Sequence, residues 1–550
     1  MISDINRCYK PSTEETIEYY YGIAGKPKLV ARTSSDLWVK PECKVSAWGR
    51  TTEQAKKRFW PIQDDDDIVQ HWTEELCITL AEILSPYPWT YFFPVKMPLG
   101  RGNHYSRSQE ERFYKTAPVL LLIAVNENSI QWEEGIEMAL KCQRCLHDHN
   151  IGIEVEVREG RRHHHGVTAE FENLIDETLL QQPREATNPM EFIDLMSSKP
   201  GYGITYLKDH NSSGTMGLHI TLGDDKKIYG LTCRHVVDKG QPLERAYKIT
   251  AQDQRQYHVH SHEDTIAKVL TKLTDQQDTI EKSIQIFKRK KDKWDLFGES
   301  DPYIKAPTSI ELDALARWPI QLDYNKKLAE SLRKAEASKK ERLLGHVAFY
   351  PPFEISTKTP GYLRDWALLE LDKANCPKGI DNQVSTRNMR LELGMPMLPN
   401  PVSQSIQLEY GSRYPFELPD EVAKKSFKVG KVGATSGYTL GMTSAIQAVV
   451  RAPKRDNRTY FSWELLIVPI GDDLHFSEPG DSGASIFDGF GWVVGMVVGS
   501  SHVDQASSRP ESSKDAMKER DRGIDITFAS SIDWVLDDIQ ALTGFEPRLV

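Results

Sequence analysis

The pattern of apolar and polar positions in the first part of the 550-residue chain changes from strand-like to helix-like spacing and back. The apolar run Pro118–Val125 is continuous, residues 129–150 carry apolar positions three or four apart, and residues 151–159 alternate. Continuous or alternating runs predict strands, whereas spacing of three or four predicts a helix. Because strand, helix and strand in this order form a βαβ unit, we predict a small α/β accessory domain over 48–190, after a loosely ordered leader over 1–47.

From residue 201 onward the pattern changes to short apolar runs separated by glycines, such as GYGITYL, GTMGLHITL and KIYGLTCRHVV. Short strands at regular spacing predict an all-β barrel or sandwich. The strand-like pattern continues to Phe528 and is followed by a segment with helical spacing, SSIDWVLDDIQALTG. We therefore predict a β-rich domain over 201–545 with a helix near its end.

Residues 261–341 interrupt this β-rich pattern with apolar positions three, four or seven apart. Two such runs are separated by a segment that contains Pro302, Pro307 and Pro319. Proline removes a backbone donor and clashes with the preceding turn, so a continuous helix is not expected there. We predict two helices joined by a proline-containing bend, inserted into the β-rich domain as a hairpin.

Composition and charge narrow the class of protein. Hydrophobic residues make up 39% of the chain and charged residues 27%, which is typical of a globular protein, and the net charge of −10 argues against a nucleic-acid partner. No apolar run approaches the ~18 residues of a membrane-spanning helix, and the first residues lack the basic start and apolar core of a secretory signal. Seven cysteines, an odd number, do not form a disulfide framework. These features predict an intracellular protein without a membrane anchor, in the cytoplasm or the nucleus.

Three local patterns carry candidate chemistry. His235 follows an apolar strand in YGLTCRHVV, Asp365 precedes an alternating strand in YLRDWALLELD, and Ser482 lies in a Gly-Asp-Ser-Gly turn. Amide hydrolysis needs a nucleophilic hydroxyl, a base that takes its proton and a carboxylate that orients the base. It also needs backbone N–H groups aimed at the developing oxyanion. Because glycine permits a tight turn in which such groups converge, Gly480 and Ser482 are the candidate oxyanion donors.

These motifs, in the chain order His, Asp, Ser, resemble those of the chymotrypsin-like serine peptidases, especially intracellular fungal members. TCRHVV is similar to their histidine motif, DWALLEL to their Asp-x-Ala-Leu-Leu-x-Leu signature and GDSGA to their Gly-Asp-Ser-Gly-Gly turn. KVGATSGYTLGMTSAI resembles the hairpin that opens their second barrel, so the likeness extends from Gly201 to Gly544 without the insert. The resemblance implies a double β-barrel with His235 as general base, Asp365 as its orienter and Ser482 as nucleophile.

The resemblance also implies a substrate pocket and shows two departures from the family pattern. Phe476, six residues before the nucleophile, would lie at the pocket base, and an apolar pocket is expected. Val498 lies on the cleft-lining strand where many relatives have serine, which would weaken the polar support of Asp365. No Ile-Val-Gly-Gly-like start precedes the barrel, so Asp481 is not assigned the salt bridge to a new N-terminus that activates secreted zymogens.

Several polar or metal-type residues are interpreted as structural, and neither a metal nor a cofactor is expected. Cys142 and Cys145, with His147 and His149 close by, could suggest a zinc site, but the CxxC has no second pair and lies on a predicted helix whose apolar face explains Cys145. Cys233 is interpreted as a buried strand residue. Three further polar runs are interpreted as solvated: Asp64–Asp67, His163–His165 and Lys288–Lys291.

Two functions remain open for the chain. One is a serine endopeptidase that acts on protein or peptide substrates, with the N-terminal domain or the helical insert recruiting a protein partner. The other is a catalytically inactive copy of the same fold that serves as an interaction or regulatory scaffold. The presence of all three candidate catalytic residues favours the first function.

Overall fold

The computed structural model describes most of the chain and shows a mostly β protein. The described residues are 8–40, 56–98, 115–160, 162, 199–206, 213–238, 245–250, 255–260, 263–298, 301, 303–337, 343–356, 361–373, 380–385, 405–411, 425–452, 460–470, 475–501 and 525–550. Their helices are α1 (Thr13–Glu18), α2 (Ile68–His71), α3 (Glu74–Leu84), α4 (Trp132–Asp148), α5 (Arg234–Val237), α6 (Glu263–Phe297), α7 (Ser309–Ala337) and α8 (Ile532–Thr543). None of these helices is both long enough and apolar enough to cross a bilayer.

The strands belong to two large sheets and one small one. In chain order they are β1 (Leu29–Arg32), β2 (Trp89–Lys96), β3 (Val119–Val125), β4 (Glu154–Glu159), β5 (Gly203–Tyr206), β6 (Ser213–Thr215), β7 (Leu218–Leu222), β8 (Tyr229–Thr232), β9 (Tyr247–Lys248), β10 (Tyr257–His260), β11 (Leu343–Tyr350), β12 (Ala367–Leu371), β13 (Gln383–Ser385), β14 (Ser405–Gln407), β15 (Lys428–Gly433), β16 (Gly437–Thr443), β17 (Ala448–Arg451), β18 (Phe461–Pro469), β19 (Ser485–Asp488), β20 (Val493–Ser500), β21 (Thr527–Ser531) and β22 (Pro547–Leu549). Among the described strands, β13 and β14 pair only with each other.

The N-terminal part contains the βαβ unit that the sequence predicts. Strands β3 and β4 run parallel, and α4 connects them after a capping box made by Gln131 and Glu134. Strand β1 pairs with β4, so this sheet already begins within the segment 1–47 that the sequence analysis assigned to a loosely ordered leader. That boundary was placed too late because the four residues of β1 are too few to show an alternating pattern.

Six strands close into a barrel in the second half of the chain. Strand β15 pairs with β16 and β19, β19 with β20, β20 with β21, β21 with β18, and β18 with β16, all antiparallel. Its apolar interior includes Val429, Ile467, Ile486 and Val497. Strand β17 joins the barrel strand β18 to β2, so the N-terminal strands extend the same sheet.

A second sheet forms a half-barrel, with the strand order β22-β7-β8-β12-β11-β10-β5-β6. Its two arms approach each other because β6 and β7 are consecutive in the chain and are separated only by Met216 and Gly217. The Met216 amide donates to the Tyr202 carbonyl and the Gly217 amide to the Leu231 carbonyl, each at 2.9 Å. A closed barrel and a half-barrel are compatible with the double barrel that the motifs predict.

Helices α6 and α7 form an antiparallel pair between β10 and β11. Leu273 packs in a small cluster with Ala329 and Leu332, and the rings of Phe287 and Trp318 stack at 5.3 Å. The predicted bend is shorter than expected, because Pro319 lies inside α7. It occupies an exposed position next to Trp318, whose contact with α6 helps to keep the helix continuous despite the lost donor.

Candidate active site

His235 lies on α5, a single helical turn directly after strand β8. The preceding residue, Arg234, is buried and fixes this turn. Its guanidinium donates to Asp238 at 2.8 Å and to the Pro351 carbonyl at 2.7 Å. His235 is therefore held on a short, anchored element at the end of a half-barrel strand.

Asp365 lies two residues before β12, and both of its neighbours in the chain are tied to helix α8. Arg364 pairs with Asp538 at 3.0 Å, and the Trp366 indole N–H donates to the same carboxylate at 3.0 Å. Asp538 is buried, so these bonds are protected from solvent. They fix the backbone on both sides of Asp365 to an element 170 or more positions away in the chain.

Ser482 lies in a turn whose conformation needs glycine. Gly480 and Gly483 have φ angles of +102° and +94°, and a Cβ on Gly483 would lie 2.3 Å from the Thr215 carbonyl oxygen. Thr215 belongs to the half-barrel strand β6. Its amide donates to the Ser482 carbonyl and its hydroxyl to the Gly480 carbonyl, both at 2.8 Å. Both barrels therefore shape the turn that carries Ser482.

The side chain of Asp481 is fully buried beneath this turn and pairs with Lys431 of β15 at 2.9 Å. It also accepts hydrogen bonds from the amides of Thr435, Ser436 and Glu478. Burial pushes the pKa of the Asp481 carboxyl upward, but Lys431, the Ser436 hydroxyl and the Glu478 amide hold it below its ordinary value. Asp481 thus has an internal cation as its partner.

The structure brings His235, Asp365 and Ser482 into one hydrogen-bonded line. His235 Nδ1 is 2.7 Å from Asp365 Oδ2, and His235 Nε2 is 2.8 Å from Ser482 Oγ. The backbone N–H of His235 also donates to Asp365 Oδ1 at 3.0 Å. Asp365 and Ser482 are buried, whereas the His235 side chain is 14% exposed. A hydroxyl, a base and a buried carboxylate in this order can activate the hydroxyl as a nucleophile.

The backbone of the serine turn leaves two amides for an external oxygen. The Asp481 amide donates to Glu478, that of Gly483 to Val497, and that of Ala484 to Asp481. Within the described chain, the amides of Gly480 and Ser482 make no such backbone hydrogen bond. These two are the amides that the sequence analysis named as candidate oxyanion donors.

The two candidate pocket residues belong to different apolar clusters. Phe476 packs inside the closed barrel, and its carbonyl accepts the Thr439 hydroxyl at 2.6 Å. Val498 belongs to the other large apolar cluster, and both side chains are fully buried. The apolar pocket therefore stays a prediction.

Cys233 lies within 4.8 Å of the ligand-type atoms of His235 and Asp365, the only metal-type cluster found among the described residues. Its Sγ donates to the Val497 carbonyl at 3.2 Å, and burial raises the pKa of the thiol well above its ordinary value. A metal there would have to separate His235 from Asp365. The donor set therefore fits packing and hydrogen bonding better than metal binding.

The remaining polar candidates have structural surroundings where they are described. Cys142 and Cys145 pack in the apolar cluster around α4, and burial raises the pKa of both thiols. Asp66 pairs with Lys96 at 2.6 Å, and Lys290 pairs with Glu311 at 2.7 Å across the helical hairpin. His163–His165 lie outside the described residues.

Sequence reasoning missed three residues that support the site, namely Thr215, Lys431 and Asp538. Lys431 lies inside the quoted hairpin motif, but nothing local shows that it pairs with Asp481. Thr215 and Asp538 act across 265 and 172 positions of the chain, respectively. Only the tertiary fold brings them to the site.

The chain matches no protein-family model and no curated protein. The class that the fold and the site define is therefore a β protein with one closed barrel and one half-barrel, compatible with the chymotrypsin-like architecture.

Proposed function

We propose that the chain is a serine endopeptidase that hydrolyses peptide bonds through an acyl-enzyme intermediate. The observation that supports this most strongly is the line of hydrogen bonds from Asp365 through His235 to Ser482, at 2.7 and 2.8 Å. A lone hydroxyl beside a histidine is common on protein surfaces. A buried serine in a glycine turn, aligned with a histidine that a buried carboxylate orients, is a far more specific arrangement.

In the proposed reaction, Ser482 Oγ attacks the peptide carbonyl carbon while His235 Nε2 takes the hydroxyl proton. Asp365 accepts from His235 Nδ1 and stabilises the imidazolium. The Gly480 and Ser482 amides bind the oxyanion of the tetrahedral intermediate. The C–N bond then breaks as His235 returns the proton to the leaving amine. Water, deprotonated by the same imidazole, releases the acid and restores the serine.

The ion pair between Lys431 and Asp481 indicates how the serine turn keeps its shape. Because Asp481 directly precedes the nucleophile, its charge must be compensated for the turn to keep its shape. Lys431 provides that compensation from within the chain. We expect the serine turn to be formed without prior cleavage that creates a new N-terminus.

A second candidate function is that of an interaction scaffold. The far half of the helical hairpin exposes several large apolar side chains, which favours contact with a protein partner. They include Leu296, Phe297, Tyr303 and Ile310. Such a contact fits a scaffold, and it equally fits a peptidase that recruits its substrate.

Labelling with a fluorophosphonate probe distinguishes the two functions. The probe phosphonylates an activated serine with loss of fluoride, and intact-mass analysis followed by peptide mapping locates the adduct. We expect one adduct, on Ser482, that disappears in Ser482→Ala and persists in Ser85→Ala, a change at an exposed serine. A folded wild-type protein that stays unlabelled would favour the scaffold, and labelling at another residue would refute the assignment of the nucleophile.

A further inference from the structure

Glu464 is a buried carboxylate of strand β18 in the vicinity of Asp365. Its side chain is 1% exposed, and the adjacent Trp463 amide donates to the Gly361 carbonyl on the segment that leads to Asp365. Burial raises the pKa of Glu464, Arg162 and Ser462 oppose that rise, and the negative charge of Asp365 adds to it. Two carboxylates thus influence each other in a region with little solvent.

Arg162 provides the counter-charge, and it comes from the N-terminal part of the chain, three residues after β4. Its Nη1 lies 3.1 Å from Glu464 Oε1, and its side chain is 8% exposed. The Ser462 hydroxyl donates to the same oxygen at 2.8 Å. Among the described residues, Arg162 Nε and Nη2 and Glu464 Oε2 find no hydrogen-bond partner. A buried ion pair that leaves several of its polar atoms without hydrogen bonds adds little to the stability of the fold. A contribution to stability therefore does not explain why the pair is there.

The Arg162–Glu464 pair interacts electrostatically with residues at the candidate catalytic site. Burial raises the pKa of the Cys233 thiol, two residues before His235. The negative charges of Asp365 and Glu464 add to this rise, and Arg162 opposes it. In the resting site the charged side chains Asp365, Glu464 and Arg162 sum to one negative charge. When His235 takes the serine proton, it becomes a cation while a negative charge develops on the substrate oxygen, so the net charge of the site does not change. The nearby negative charge stabilises the imidazolium part of the transition state.

We propose that Arg162 is a positioning residue for the His235–Asp365–Ser482 site, because it keeps Glu464 paired and leaves Asp365 as the carboxylate that serves His235. This inference rests on the proposed peptidase function. Without Arg162, the carboxylates of Glu464 and Asp365 would share an apolar region, and like charges there disfavour the ionised state of both. The segment that follows β4 would then help to position the candidate catalytic residues.

The test measures the rate of fluorophosphonate labelling across pH for wild type, Arg162→Gln, Glu464→Gln and the double variant. We expect Arg162→Gln to slow labelling at neutral pH by roughly tenfold or more, and the double variant to return to within about threefold of wild type. Glu464→Gln removes an anion near the imidazolium, so the acidic limb of its pH profile should move down by about 0.5–1 pH unit. Arg162→Lys keeps the charge and should stay close to wild type.

The control is Arg144→Gln, at an exposed arginine of α4, with thermal unfolding recorded for every variant. Wild-type rates in folded Arg162→Gln, or a double variant no faster than Arg162→Gln, would overturn the inference. If Arg162→Gln does not fold, the pH profile of Glu464→Gln decides, and an unmoved acidic limb overturns it. An unlabelled wild type would instead refute the proposed function.

Discussion

The closed barrel and the half-barrel bury ionisable side chains in different ways. In the closed barrel, the serine turn rests on a fully buried ion pair between Lys431 and Asp481. The half-barrel also buries an ionisable residue, His219 of β7, whose pKa burial lowers to about 4 and whose Nδ1 lies 2.9 Å from the Asp381 carbonyl oxygen. Largely buried ion pairs support both parts of the site, Lys431–Asp481 beneath the serine turn and Arg364–Asp538 beside Asp365, but the half-barrel also buries a histidine that has to stay neutral.

This difference indicates which perturbations each half should resist. A buried ion pair is sensitive to the loss of one partner, because the remaining charge has no compensation. A buried neutral histidine is sensitive to acid, because its protonated form is excluded from the folded interior. Substitution of one partner of the ion pair should therefore perturb the closed barrel, whereas acidification should perturb the half-barrel.

The largest effect is expected from Lys431→Met. This change leaves the Asp481 carboxylate buried without its cation, which should lower the free energy of unfolding by about 3–5 kcal/mol and suppress serine labelling. Urea unfolding and probe labelling check both outcomes. Lys428→Met, at an exposed lysine of the same strand, is the control. A Lys431→Met protein as stable and as reactive as the control would contradict the role given to the pair.

Acid should act through His219 in the half-barrel. Burial lowers its pKa from 6.5 to about 4, so the unfolded chain binds a proton at a higher pH than the folded chain. Stability from this group is therefore complete above about pH 6.5 and is lost as the pH falls toward 4, by about 3 kcal/mol in total. His219→Gln should flatten the pH dependence of unfolding in this window, whereas His71→Gln, at an exposed histidine, should not. Equal slopes for wild type and His219→Gln would refute this source of acid sensitivity.

Asp538→Asn tests how the half-barrel fixes Asp365. The change weakens the charged bonds to Arg364 and Trp366, and we expect a loss of about 2 kcal/mol in the free energy of unfolding. Because the backbone on both sides of Asp365 is loosened, labelling should slow by roughly tenfold. Asp537→Asn alters an exposed neighbour on the same helix and is the matched control. Identical labelling rates in the two variants would mean that α8 does not position Asp365.

The smallest effect is expected from removal of the helical hairpin. Strands β10 and β11 are hydrogen-bonded neighbours, with Val259 opposite Leu343, so a short Gly/Ser linker can span the gap. The hairpin also has its own small apolar cluster around Leu273. We expect the deletion variant to keep its thermal unfolding and its serine labelling. An insoluble variant would show that the helices complete the core of the half-barrel.

Features that depend on residues close together in the chain could be predicted from the sequence, and features that depend on distant residues could not. The serine turn, the βαβ unit and the hairpin β15–β16 are local, so their motifs and spacing were sufficient. Pro319 was placed wrongly because its effect on α7 depends on packing against α6. Lys431, Asp538 and Arg162 could not be assigned at all, since their partners lie far away in the chain. Local motifs therefore identify the candidate catalytic residues, whereas the residues that hold them in place can be recognised only from tertiary contacts.

The central claim is that His235, Asp365 and Ser482 act as one catalytic unit across the two barrels. The most direct measurement is the rate of peptide-library hydrolysis by wild type, His235→Ala, Ser482→Ala and the double variant, followed by mass spectrometry. Members of one unit give non-additive losses, so the double variant should be little slower than either single variant. Hydrolysis by wild type with this non-additive pattern is the predicted result. Independent, additive losses, or a folded wild type that cleaves no peptide, would contradict the claim.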